Sequence, residues 1–103
     1  MKKIINGTTY NTETAKKIAS RECRYYQNTD EYFVERIYKT KKGRYFLHGD
    51  GGMMTKYAKY YDDGSIGGGE EIYPLSEKEA KKLIRKKFSP EEYAAEWPSA
   101  SEN

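Results

Sequence analysis

The sequence has a single histidine, His48, and a single cysteine, Cys23, and these residue types commonly serve as a general base, a nucleophile or a metal ligand. A zinc site needs further histidines or cysteines at ligand spacing, and a cysteine nucleophile needs a base beside it. No such partner can be named from the sequence. We therefore expect His48 to be a strand residue at a sheet edge, opposite Arg36, and Cys23 to be a small buried residue at a helix end. The expectation is a protein that is not an enzyme and that holds no metal and no cofactor.

Two glycine-rich segments could approach a phosphate closely, because glycine lets the backbone reach a ligand. They are residues 49–52 (GDGG) and residues 64–69 (GSIGGG). Neither has the glycine-lysine-serine or glycine-lysine-threonine ending of a P-loop, nor the strand–loop–helix context of a dinucleotide site. The Asp62-Asp63-Gly64 run lacks the acid spacing of a calcium loop. Loop closure is a sufficient reason for these glycines.

Basic and tyrosine side chains are interspersed in the centre of the chain. The set consists of Arg36, Lys39, Lys41, Lys42, Arg44, Lys56, Tyr57, Lys59 and Tyr60. Cations neutralise phosphates and aromatic rings stack on bases, so this composition suits contact with nucleic acid or with a nucleoprotein. The alternative is a solvated sheet face whose lysines protect exposed edges against aggregation.

The net charge of +3 is unevenly distributed along the 103 residues. Residues 1–60 carry +7 and residues 61–103 carry −4. A wholly acidic mimic of nucleic acid is disfavoured by this pattern, whereas contact with phosphate or with an acidic protein patch is compatible with it.

A β-hairpin over Tyr32–Gly52 is the element that must position most of the basic set. Two aromatic and aliphatic runs flank Lys41-Lys42-Gly43, where Gly43 supplies the left-handed turn residue. If Thr40 faces Arg44, the cross-strand pairs become Tyr38 with Phe46, Ile37 with Leu47, and Arg36 with His48. The Ile37 and Leu47 face is expected to support a C-terminal helix.

The remaining elements are predicted from turn and capping signals. Before the central hairpin, the sequence predicts a strand at Lys2–Ile5, an Asn6-Gly7 turn and a strand at Thr8–Tyr10. A helix capped by Asn11 or Thr12 then runs through Ala15, Ile18 and Ala19 to Ser20 or Cys23, and a polar loop follows at Arg21–Glu31. After the hairpin come a short extended segment at Met53–Tyr61, a turn at Asp62–Gly64, a loop at Ser65–Gly69, a strand at Glu71–Pro74, and two helices, one capped by Ser76 and Glu79 and the other by Ser89 and Glu92. This order predicts an α+β fold, a small and mainly antiparallel sheet of four to five short strands with helices packed on one face.

Length and composition favour a single domain over residues 1–103, with residues 98–103 as a frayed tail. A lone cysteine cannot form an internal disulfide. No apolar run is long enough to span a bilayer, and the N-terminus lacks the apolar core of a signal peptide. We therefore expect a cytoplasmic protein without membrane contact.

Three stretches of the chain carry a resemblance to a known family: Ile5–Ala19 (INGTTYNTETAKKIA), Lys39–Gly52 (KTKKGRYFLHGDGG) with Lys56–Ala58 following, and Ile72–Ile84 (IYPLSEKEAKKLI). In this order they resemble small proteins carried by phages and conjugative elements of Firmicutes, whose members include anti-CRISPR and other anti-defence candidates. The matching motifs are a turn, a glycine loop and capped helices, so no catalytic residue comes with them. Residues 21–30 and the tail after Trp97 lie outside the matching stretches.

The resemblance implies an inhibitor from a mobile element that binds a host CRISPR–Cas effector and blocks nucleic-acid loading or cleavage by occupancy. The interspersed basic and tyrosine set is then the expected contact surface, with cations bonding acidic groups, guide-RNA phosphates or DNA phosphates, and with tyrosines as anchors. The alternative is a small nucleic-acid-binding or regulatory module that uses the same surface directly.

Overall fold

A four-stranded antiparallel sheet forms the centre of the protein. The computed structural model describes the backbone of residues 1–25 and 28–98 and the side chains of residues 1–23 and 30–98. Its strands are β3 (Lys16–Tyr25), β4 (Asn28–Lys39), β5 (Tyr45–Gly51) and β8 (Gly69–Leu75), in the order β3-β4-β5-β8. The other elements are the ribbon of β1 (Lys2–Ile5) and β2 (Thr8–Asn11), the ribbon of β6 (Lys59–Tyr60) and β7 (Ile66–Gly67), and the helices α1 (Glu77–Lys87) and α2 (Pro90–Glu96). The predicted α+β class with a mainly antiparallel sheet is confirmed.

The central hairpin has the predicted register. Arg36 pairs with His48, Ile37 with Leu47, and Tyr38 with Phe46, and the Thr40 N–H donates to the Arg44 carbonyl at 2.8 Å. Gly43 adopts a φ of +86°, the left-handed conformation for which glycine was required. The first strand of this hairpin is longer than predicted, because β4 already begins at Asn28.

The helix predicted after β2 is wrong, although its capping signal exists. The Glu13 N–H donates to Asn11 Oδ1 at 2.9 Å, and the Ala15 N–H donates to the Asn11 carbonyl at 3.0 Å. These bonds make one helical turn, after which the chain enters β3. A cap fixes where a helix can begin, but continuation depends on tertiary packing, and here pairing with β4 decides the outcome.

A bulge in β3 is the reason that its sequence imitates a helical stripe. The register with β4 shifts between Lys17 and Ala19, so Ile18 is the extra residue. Ile18 and Ala19 therefore both pack against the core although they are adjacent in sequence. Two neighbouring apolar residues interrupt the period of two that marks a half-buried strand.

The polar segment Arg21–Glu31, predicted as a loop, lies largely in strands. β3 continues to Tyr25 and β4 starts at Asn28, while Tyr26 lies outside the described residues. Cys23 lies opposite Phe33 within β3 and is half-buried, so its predicted place at a helix end is wrong. The segment is polar because β3 is an edge strand of the sheet, where solvent-facing side chains are common.

Both helices pack on one face of the sheet, as predicted. The core cluster on this face consists of Ala19, Ile37, Tyr45, Leu47, Ala80 and Ile84. Complete burial of Ile37 and Ile84 stabilises the fold by about 2 kcal/mol each. The two predicted capping boxes are present, that of Ser76 before α1 and that of Ser89 before α2. Of the predicted frayed tail, residues 99–103 lie outside the described part of the chain.

The ribbon of β1 and β2 covers the opposite face, which the sequence did not indicate. A second core cluster there contains Tyr10 from the ribbon with Tyr38, Phe46 and Ile72 from the sheet. The Tyr10 and Phe46 rings meet edge to face, with centroids 5.4 Å apart. The predicted Asn6-Gly7 turn is confirmed, since both residues have positive φ, +50° and +77°. The ribbon therefore has a fixed position against the sheet.

The connection from β5 to β8, residues 52–68, folds back over β5. Residues 53–57 form turns, so the extended segment predicted for residues 53–61 is confirmed only at β6. The loop predicted for residues 65–69 contains the short strand β7. The Tyr57 ring lies against Gly49, where an added Cβ would approach the ring to 2.0 Å. Gly49 is therefore needed because a side chain there would occupy the space of the tyrosine ring.

We expect Gly49→Ala to lower the free energy of unfolding by about 2 kcal/mol, because the new methyl group collides with the Tyr57 ring. In a Tyr57→Ala background the same change should cost less than about 0.5 kcal/mol, because the collision is gone. Urea denaturation of the four proteins in this cycle measures both values. An equal cost of Gly49→Ala in the two backgrounds would contradict this packing.

Candidate functional site

A cleft of about 700 Å³ lies between the β1–β2 ribbon and the tip of the β4–β5 hairpin. It is called the basic cleft below, and its lining residues are Lys2, Gly7, Thr8, Thr9, Asn11, Thr14, Thr40, Lys41, Lys42 and Arg44. Three of these, Lys41, Lys42 and Arg44, belong to the predicted contact set. The cleft exists because packing of Tyr10 on Phe46 places the ribbon beside the hairpin tip.

Within residues 1–23 and 30–98, no carboxylate neutralises the four cations of the basic cleft. Among the described residues, no ion pair involves Lys2, Lys41, Lys42 or Arg44, and all four are exposed. Threonine hydroxyls line the same walls and can donate to anionic oxygens. Ammonium, guanidinium and hydroxyl groups around one cleft match a ligand that carries several phosphate or carboxylate groups.

Three other members of the predicted set are occupied by internal ion pairs. The distances are 2.9 Å from Arg36 to Asp50, 2.9 Å from Lys39 to Glu96, and 2.8 Å from Lys56 to Glu35. The hydrogen bond and charge of Glu96 hold the pKa of Lys39 above its ordinary value. These cations can contribute little unpaired charge to a partner.

Tyr57 is also removed from the surface, since its side chain is only 4% exposed. Its hydroxyl donates to the carboxylate of Glu35, and burial together with this bond raises the Tyr57 pKa well above the ordinary range. The predicted role of Tyr57 as a partner-binding anchor requires an exposed ring, and the ring is not exposed in this fold. The ring is an anchor of the β5–β8 connection instead.

Glu35 is a buried carboxylate, 2% exposed, that binds three donors from different segments. Arg21 Nε on β3 donates to Oε1 at 2.9 Å, while Lys56 and Tyr57 in the connection bond Oε2. Burial alone would raise the pKa of this group, but the hydrogen bonds from Lys56, Tyr57 and Arg21 outweigh it and lower the pKa to about 2. The carboxylate therefore stays charged and keeps its donors.

Lys59 and Tyr60 lie on β6, at the far end of the sheet from the basic cleft. An added Cβ at Gly69 would approach Lys59 Cγ to 2.7 Å, and Gly69 pairs with Gly51 at the last position of β5. The hairpin tip adjoins the first position of β5, and the seven residues of this strand span roughly 20 Å. The predicted contact set is therefore divided into a free group at the cleft, an internally paired group and a distant group.

His48 pairs with Arg36 as predicted, but it does not lie at a sheet edge, because β5 is an inner strand. Its imidazole is 8% exposed, with Nε2 2.9 Å from Glu70 Oε2 and Nδ1 3.4 Å from Arg36 Nη1. Both contacts are satisfied when Nδ1 accepts and Nε2–H donates. Cys23 is two strands away across β4 and three residues out of register with His48, a separation of more than about 10 Å, so the two side chains are not paired.

Lys2 and the ribbon threonines line the basic cleft but do not belong to the contact set that the sequence predicts. The Asn6-Gly7 turn predicts the ribbon itself, and Thr8 and Thr9 follow the turn directly. Nothing in the local pattern shows that this ribbon docks beside residues 40–44. The only usable signal is Tyr10, whose large apolar ring on a short polar ribbon requires a packing partner.

In the described part of the chain, no group of three or more His, Cys, Asp or Glu residues is placed to hold a metal ion. No helix within 1–25 and 28–98 has the length and apolar character required to cross a membrane. The fold thus defines a small α+β protein whose most distinctive surface is a cationic cleft. Comparisons with protein-family models, with curated protein sequences and with solved structures give no match for this chain.

Glu35 should make stability depend on pH in acid. Its pKa is about 2 in the folded protein, against an ordinary value of 4.5. Because the folded pKa is the lower one, the stabilisation is fully present above the unfolded pKa and is lost as the pH falls towards the folded pKa. We expect the free energy of unfolding of the wild type to fall by up to about 3 kcal/mol more than that of Glu35→Gln over this window.

Urea denaturation of the two proteins from neutral pH down to the folded pKa of Glu35 measures this difference. The other carboxylates are common to both proteins, so their contributions cancel. Parallel pH curves for the wild type and Glu35→Gln would contradict the assignment. At neutral pH the variant should already be less stable, because Arg21 loses its buried partner.

Proposed function

We propose that this protein is a non-enzymatic inhibitor from a mobile genetic element. In this proposal it binds a host CRISPR–Cas effector in the cytoplasm and blocks nucleic-acid binding or cleavage by occupancy. The basic cleft is the contact that meets guide-RNA phosphates, DNA phosphates or acidic groups of the effector.

One observation carries the contact chemistry of this proposal, which is the group of unpaired cations around the basic cleft. Four cations held close together repel one another, and they are stabilised when a polyanion binds. The threonine hydroxyls offer directional hydrogen bonds beside these charges. Ribose-phosphate chains present many anionic oxygens at close spacing, so several cleft residues can bind one strand at once.

The class of partner is supported by the sequence resemblance, and the contact surface by the cleft. A second function uses the same cleft, namely direct binding of free nucleic acid by a small regulatory module. It is favoured by the same unpaired charges, since a phosphate backbone binds cations whether or not an effector presents it. The two functions differ in whether the protein binds nucleic acid that is free in solution.

We expect the triple variant Lys41→Ala/Lys42→Ala/Arg44→Ala to lose at least about ten-fold in affinity for its partner and to lose inhibition of target cleavage. The matched control is Lys78→Ala/Lys82→Ala/Lys86→Ala, which removes the same charge from the exposed surface of α1. Binding is measured to a purified guide-loaded Cas effector, to single-stranded RNA and to duplex DNA over a salt series. Inhibition is measured as protection of target DNA from the effector.

Binding and inhibition that survive in the cleft variant, or that fall equally in the α1 control, would overturn the cleft as the contact. Tight binding to free RNA or DNA, with a salt slope reduced by about 2 to 3 in the cleft variant and with no protection of target DNA from the effector, would establish the module and reject the inhibitor. Binding to the loaded effector without binding to free nucleic acid supports the inhibitor.

A further inference from the structure

The connection between β5 and β8 concentrates the exposed apolar side chains of the protein. In the described residues, five of the eight large apolar residues that are exposed lie there, and these are Met53, Met54, Tyr60, Tyr61 and Ile66. Tyr60 is 78% exposed and pairs with Ile66 across the β6–β7 ribbon. Exposed aromatic and methionine side chains grouped in this way are typical of protein-binding surfaces.

The turn of this ribbon is held by four hydrogen bonds within residues 61–65. The Tyr61 N–H donates to the Ser65 carbonyl at 3.0 Å, and the Gly64 N–H donates to the Tyr61 carbonyl at 3.0 Å. Gly64 takes a φ of +88°, as a tight turn requires. Asp63 accepts from both the backbone N–H and the hydroxyl of Ser65, at 2.9 and 2.6 Å. A turn held in this way loses little conformational entropy when it binds.

The charge at this turn is negative, although lysines occur nearby in the sequence. Lys56 is paired with the buried Glu35. Lys59 lies along Gly69, and its positive charge contributes to lowering the pKa of Glu71 on β8. The charge of Lys59 is therefore felt by a carboxylate of the sheet. Asp62 and Asp63 have no cationic partner among the ion pairs of the described residues. The exposed tyrosines are therefore accompanied by two unneutralised carboxylates.

We propose that this surface, the acidic tip (Tyr60, Tyr61, Asp62, Asp63 and Ile66), is a second binding site that docks into an apolar pocket bordered by Lys or Arg on a protein partner. The aromatic and aliphatic groups enter the pocket, and the carboxylates meet the basic border. A phosphate backbone is the wrong occupant, because the two carboxylates repel it. This proposal goes beyond the basic cleft, which lies at the other end of β5, and does not depend on it.

The proposal is tested by selection from a random peptide library displayed on phage, with the immobilised full-length protein as the target. We expect selected peptides to combine aromatic or aliphatic residues with Lys or Arg. Synthetic copies of them should bind Tyr60→Ser/Tyr61→Ser at least about ten-fold more weakly than the wild type, because the apolar anchors are gone. Asp62→Asn/Asp63→Asn should weaken binding by about three-fold or more at low salt and less at high salt.

Two control variants make this test specific. Ile4→Ser removes an equally exposed apolar side chain from β1, and the cleft variant removes charge from the other end of the molecule. Both should bind the selected peptides as the wild type does. Because the tip residues are exposed, thermal unfolding should show all variants folded, and the Asp62→Asn/Asp63→Asn pair changes no packing.

The proposal is overturned if the library yields no binders, or if the selected peptides lack basic residues. It is also overturned if they bind the Tyr60→Ser/Tyr61→Ser variant as tightly as the wild type. Sedimentation velocity provides a further outcome. Concentration-dependent association that Tyr60→Ser/Tyr61→Ser abolishes would make a second copy of the chain the occupant and would reject a separate protein partner.

Discussion

The buried carboxylate of Glu35 is the constraint on which the rest of this structure depends. It lies on the second strand of the sheet and binds Arg21 from the first strand and Lys56 and Tyr57 from the long connection. A buried charge without these donors would be strongly destabilising. The connection must therefore fold back over the sheet, and Gly49 must remain without a side chain beneath the tyrosine ring. Removal of one donor would leave the charge of Glu35 partly uncompensated, so the three contacts together link β3, β4 and the connection.

Ion pairs formed on folding also determine which basic residues of the predicted contact set remain unpaired. A sequence shows how many lysines and arginines occur in a segment, but not which of them lie beside a carboxylate. Here Lys56 is bound by Glu35, Lys39 by Glu96 from the second helix, and Arg36 by Asp50 across the hairpin. Each acid is at least 14 residues away from its cation, so only the folded chain brings the pair together. At the hairpin tip, Lys41, Lys42 and Arg44 form no ion pair with any acid in the described part of the chain.

Local chemistry predicted a large part of the fold. The register of the central hairpin, the Asn6-Gly7 turn and both capping boxes follow from neighbours within a few residues, and all are present. The sequence of β3 imitates a helix, because its bulge places both Ile18 and Ala19 against the core and because a one-turn cap precedes it. Only the hairpin side of the basic cleft, with Lys41, Lys42 and Arg44, could be predicted from the sequence. The other side of the cleft comes from a ribbon whose position depends on the contact of Tyr10 with Phe46, a long-range choice that periodicity does not report.

The separation of the unpaired charges has a consequence for the approach to a partner. The cations at one end of the central strand and the carboxylates of Asp62 and Asp63 at the other contribute a dipole along this strand, in addition to the small net charge of the protein. In the field of a large polyanion such a dipole experiences a torque, which turns the positive end forward before any contact is made. Encounters then begin in an already aligned orientation, which shortens the rotational search that limits most protein associations. Salt would weaken this alignment, because it screens charges that are separated by more than a Debye length.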